Sequence, residues 1–183
     1  MLLLMASAAA QSVRVSVYNY SQITPETVAQ MEREAAAIFR ASGVTLEWLN
    51  CRGLPDELDD AACWQELASA GLIIRILARP AFPGSFRGEP LGYSVGRSAD
   101  VYVSTANQVD CAIPGAVLGA ALAHELGHVL LGPKAHSSQG IMLAAWGRAE
   151  LRLIARRLLC FTDRQGDRIR FAAAARARRP SPE

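Results

Sequence analysis

From Val13 the chain alternates: Val13, Val15 and Val17 fall on one side, Arg14 and Ser16 on the other. A period of two marks a strand with one buried face, so 13–20 is predicted to be a strand. The period then lengthens. Thr24 offers an N-cap side chain and Pro25 suits the first helical position, after which Val28, Met31, Ala35 and Ile38 recur at helical spacing until Gly43. Alternation returns at Val44, Leu46 and Trp48 and again in "LIIRILA" from Leu72, which predicts two more strands, with a polar loop and a short helix around Trp64 between them. Pro80, Pro83, Gly84 and Gly88 mark a long loop, beyond which "LGYSV" and "ADVYVST" read as two further short strands ending before Cys111.

The segment from Pro114 to Leu131, "PGAVLGAALAHELGHVLL", is apolar on nearly every side, which a helix tolerates when it lies in the middle of a domain. Gly132 and Pro133 end it. The three histidines of the chain, His124, His128 and His136, all fall between His124 and Met142. His124 and His128 are four apart, so they project from one helix face and can bind one ion together. Glu125 flanks that face. This is the H-E-x-x-H pattern, in which two imidazoles hold zinc and the glutamate, not a ligand, polarises the attacking water. Two neutral histidines satisfied by backbone carbonyls are the plainer alternative, but a buried helix would then also carry Glu125, which is costly to bury without a partner.

"HELGHVLLGPKAHSSQGIM" resembles the signature of the metzincin clan of zinc peptidases, H-E-x-x-H-x-x-G-x-x-H followed by a methionine-containing turn beneath the metal. The resemblance implies one zinc per chain on His124, His128 and His136, Glu125 as catalytic base and Met142 in the turn. It also implies a zincin-like α+β or α/β fold: a twisted, mostly parallel sheet of about five strands with an antiparallel edge strand, packed on a long helix and the active-site helix. In such proteins the edge strand pairs with an extended peptide; Leu91, Gly92, Tyr93, Ser94 and Val95 are its expected counterpart, and Gly140 and Ile141 are expected to wall the pocket. Two departures stand out. The third histidine follows the second by eight residues instead of six, with the excess around Pro133 and Lys134, and Trp146 stands where some members place a tyrosine. Glu150, twenty-two residues beyond His128, is an alternative third ligand of the gluzincin kind.

Composition sets the remaining bounds. A chain of 183 residues, half of them apolar, can bury one core, so a single catalytic domain over 11–172 is expected. Residues 1–10 resemble the end of a signal peptide, with Ala8-Ala9-Ala10 suited to cleavage, and 173–183 read as a basic, disordered tail. The net charge of +2 gives no basic face that demands nucleic acid, and the dense arginines from Arg148 to Arg179 read as a solvated helix face. No membrane span is predicted, and a monomer is expected. Four cysteines allow three pairings; Cys51 with Cys63 and Cys111 with Cys160 are the expected ones, with four free thiols as the alternative. These features point to a secreted or periplasmic zinc peptidase acting on peptide or protein. A zinc hydrolase of another substrate, such as a small zinc endoribonuclease, and an exported binding domain with a structural zinc remain alternatives.

Overall fold

The computed structural model describes residues 11–51, 61–68, 71–80 and 90–178. The expected signal-peptide segment 1–10, most of the loop around Pro83 and the last five residues lie outside the described residues. In chain order the elements are β1 (Gln11–Asn19), α1 (Pro25–Ala41), β2 (Val44–Cys51), α2 (Ala61–Ala68), β3 (Leu72–Leu77), β4 (Gly92–Val95), β5 (Ser98–Tyr102), α3 (Val103–Val109), α4 (Pro114–Leu131), α5 (Arg148–Ala155) and α6 (Asp163–Ala177).

The five strands form one sheet in the order β2-β1-β3-β5-β4. β1, β2, β3 and β5 run parallel and β4 pairs antiparallel with β5 at the edge, as the resemblance implies. Val13, Val15, Val17, Leu72, Ile74, Ile76, Ala99 and Val101 turn one face of the sheet toward the core shared with α1, α4 and α6. Tyr18, Cys51 and Cys63 form a small second cluster. Thr24 caps α1 by accepting from the Thr27 N–H, and Gly43 leaves the helix with φ +76°, a conformation that costs glycine little.

α4 runs through the middle of this core. It is long and apolar enough to cross a bilayer, but most of it is buried inside the protein. Small residues let it lie close against α1: a Cβ at Gly119 would come within 2.6 Å of the Met31 carbonyl oxygen and the Glu34 Cβ. The far end of α4 is held from outside, where the Arg168 guanidinium of α6 donates to the Leu131 carbonyl at 3.0 Å.

Three expectations are corrected. "ADVYVST" is not strand throughout, because β3 ends at Leu77, opposite Tyr102; beyond it the Ser104 N–H bonds the Ala78 carbonyl and the chain coils into α3. The tail does not begin at 173: α6 continues to Ala177, because Ala173 is fully buried against the core. Among the described residues the late arginines are mostly exposed, as expected, but some of them are also engaged. Arg157 pairs with the buried Glu34 of α1 at 2.7 Å, and Arg170 donates to the Ser42 carbonyl at 3.0 Å. Finally, Cys51 and Cys63 are bonded, with Cα atoms 5.9 Å apart, but Cys111 and Cys160 are free. Cys111 is exposed in the turn before α4, whereas Cys160 lines a small cavity between α1 and α4.

Candidate metal centre

His124, Glu125 and His128 come from α4; the first two are buried and His128 is half-buried. α4 ends at Gly132, whose φ of +103° turns the chain away while its N–H bonds the His128 carbonyl at 2.8 Å. The irregular segment that follows brings exposed His136 back over the helix. Its path is fixed from beyond the histidine: the Ser137 N–H bonds the Met142 carbonyl at 2.9 Å, the Leu143 N–H bonds the Gly140 carbonyl, and the Ile141 N–H bonds the Cys160 carbonyl at 2.8 Å. Gln165, buried at the start of α6, donates to the Ser137 hydroxyl at 3.0 Å. These bonds close a turn that carries Met142. Met142 is fully buried under α4, and a Cβ at Gly127 would lie 2.5 Å from its Sδ and 2.9 Å from the Phe161 ring, so the glycine between Leu126 and His128 is a packing requirement.

The three imidazoles converge. Nε2 of His128 lies 3.1 Å from Nε2 of His124 and 3.0 Å from Nε2 of His136, and the ligand atoms of all three fall within 4.8 Å of one another. Nδ1 of His124 faces the Ile141 carbonyl at 2.7 Å, and Nδ1 of His128 faces the Gly132 carbonyl at 3.3 Å. A carbonyl only accepts, so each Nδ1 carries the proton and each Nε2 presents a lone pair. Burial holds both imidazoles neutral, pushing His124 down to about 4 and lowering His128, while the carbonyls act in the opposite sense. Lone pairs gathered this closely repel unless a cation lies between them. Tetrahedral zinc at its usual distance from nitrogen spaces such ligands by about 3.3 Å, so the donor set fits zinc. Glu150, the alternative ligand, is engaged elsewhere: its Oε2 accepts from the Gly147 N–H at 2.8 Å and caps α5.

Glu125 stands beside the histidines, on the side of the edge strand. Burial pushes its carboxyl up to about 7, Ser94 opposes the shift by hydrogen bonding to it, and the charge of Asp100 adds to it. The approach of β4 needs Gly92, since a Cβ there would meet the Glu125 Cγ at 2.6 Å and the Asp100 carbonyl at 2.7 Å. Sequence spacing gave no sign of this role for Gly92, of the brace from Gln165, or of the link from Trp146, whose indole N–H donates to the Ile141 carbonyl at 3.2 Å.

The three histidines and Glu125 border one cleft of about 690 Å³. Leu91, Gly92, Tyr93 and Ser94 line one side, and Leu143, Ala144, Ala145 and Trp146 line the other. Val95, Gly140 and Ile141 do not line it. Val95 is exposed further along the edge strand, Ile141 is fully buried with its carbonyl turned to His124, and Gly140 packs its left-handed turn against the Cys160 carbonyl.

A parallel sheet with an antiparallel edge strand, a buried helix bearing H-E-x-x-H and a third histidine above a methionine turn make up a zincin-like fold of the metzincin type. The same fold occurs in the archaemetzincin of Methanopyrus kandleri, whose crystal structure is similar with a TM-score of 0.56 over 92% of this chain and 99% of that one, at 14% sequence identity. No family model matches the chain, and no curated protein matches it by sequence.

Proposed function

We propose that this protein is an exported zinc-dependent endopeptidase holding one zinc ion on His124, His128 and His136. One observation carries the reading: three imidazole nitrogens converge in a cleft beside a buried carboxylate, next to a strand with no further strand beyond it among the described residues. Zinc held by these three imidazoles would supply a Lewis acid that acidifies a water and polarises a carbonyl. Glu125, beside the histidines and lining the cleft, is placed to take a proton from an attacking water and pass it to the leaving amine nitrogen. Ser94 fixes the carboxyl from the substrate side. β4 has no strand beyond it among the described residues, so an extended peptide can add to its edge by backbone hydrogen bonds, which supports peptide as the substrate. The fold shared with the archaemetzincin of Methanopyrus kandleri supports the reading.

Export is supported by the apolar segment 1–10 and by the bond between Cys51 and Cys63, a linkage that persists in oxidising compartments. A purely structural zinc needs no carboxylate in a cleft beside it, which favours an enzyme over a binding domain. Native mass spectrometry on untagged protein tests the metal assignment: one zinc per chain is expected, lost on chelation and restored by stoichiometric zinc. Protein that stays metal-free in the presence of zinc overturns it.

A further inference from the structure

The carbonyl of Ile141 receives two donors, Nδ1 of His124 at 2.7 Å and Nε1 of Trp146 at 3.2 Å. The two rings stand edge to face with centroids 5.9 Å apart, and both border the cleft. Ile141 and Met142 are fully buried, and the Ile141 N–H is held by the Cys160 carbonyl at 2.8 Å, so the residue whose carbonyl orients His124 is held at its N–H by the chain before α6 and at its carbonyl by the indole. Trp146 itself follows a run of exposed or half-exposed residues, Leu143 to Ala145, outside any helix or strand. No other hydrogen bond to the Ile141 carbonyl is seen among the described residues.

We infer that Trp146 is a positioning residue for the metal centre, acting through the Ile141 carbonyl to set the orientation of His124. A ligand histidine is fixed by whatever accepts its other ring N–H, and that acceptor is held here by one indole hydrogen bond from the cleft wall. Because its N–H is engaged with Ile141, Trp146 offers substrate a flat apolar face and no donor. The same link joins cleft and metal: a bound peptide that presses on the indole presses on the acceptor of His124.

The inference rests on the zinc-centre reading, and the test separates the two. Zinc affinity is measured by competition with a chromophoric chelator for wild type, for Trp146→Phe, and for protein carrying β-(3-benzothienyl)alanine at position 146, which keeps the bicyclic ring but replaces N–H with sulfur. Both changes are expected to weaken zinc by about 10-fold, at the low end of the effect of losing a ligand's hydrogen-bonding partner. Both should also shift the visible absorption of the cobalt-substituted protein and leave the melting temperature of the chelated protein near that of wild type. Zinc affinity and cobalt spectra equal to wild type in both proteins overturn the inference while leaving the zinc centre intact. Loss with phenylalanine but not with the benzothienyl ring also overturns it, because ring packing would then be the cause. Wild type that binds no zinc overturns the zinc centre and this inference together.

Discussion

The proposed metal centre is built from two unlike halves. His124, Glu125 and His128 sit on α4, whose ladder fixes their spacing and whose surroundings bury it through small residues set against α1 and Met142. His136 sits on irregular chain, is exposed, and is placed by hydrogen bonds to Ser137, Ile141 and Leu143, all later in the sequence. In the first half position follows from local geometry; in the second it follows from contacts with β-bridged and helical residues up to Gln165. This difference explains how the interval from His128 to His136 can exceed that of the resembled signature. Extra residues at Pro133 and Lys134 enter exposed chain before the anchored part and leave the anchors in place.

The largest expected effect comes from removing the loop ligand. His136→Ala should weaken zinc by more than the ~10- to 100-fold that loss of an outer hydrogen-bonding partner costs, while Glu150→Gln should leave zinc affinity unchanged because that carboxylate caps α5. Chelator competition on both variants checks this, and the opposite pattern would return Glu150 to the metal. Gly127→Ala comes next. Its Cβ collides with Met142 and Phe161, so a loss of about 1–3 kcal/mol in unfolding free energy is expected from overpacking, read from urea denaturation of the chelated protein. The smallest effect is expected from a glycine inserted after Lys134, which should cost less than about tenfold in zinc affinity because loop length weighs only logarithmically on closure. A loss beyond a hundredfold would mean that the loop is measured out from the helix after all.

What the sequence disclosed follows the same division. Apolar periodicity located α1, α4 and the strands, and the i, i+4 histidines with Glu125 were legible because a helix converts spacing into direction. Residues whose position depends on distant backbone were not. Gly140 and Ile141 were expected at the cleft wall, yet Ile141 serves the site with its carbonyl, which carries no sequence signature. Gly92 was expected to touch substrate; it also makes room for Glu125. A Cys111–Cys160 bridge was expected because the two cysteines bracket the histidine segment, but bracketing along the chain says nothing about whether two thiols face each other. Val103 to Thr105 continue a β-like pattern, and only the end of β3 stops the strand.

The central claim is that the two halves form a hydrolytic zinc centre with Glu125 as its base. It is tested most directly by following cleavage of an unfolded protein substrate by zinc-loaded wild type, by the same protein after chelation and after zinc is restored, and by zinc-loaded Glu125→Gln. The expected result is cleavage that disappears on chelation and returns with zinc, and a Glu125→Gln protein that binds zinc like wild type but cleaves about 100- to 10,000-fold more slowly, the usual worth of a general base. Folded, zinc-loaded wild type without chelator-sensitive cleavage, or Glu125→Gln cleaving at the wild-type rate, would contradict the account.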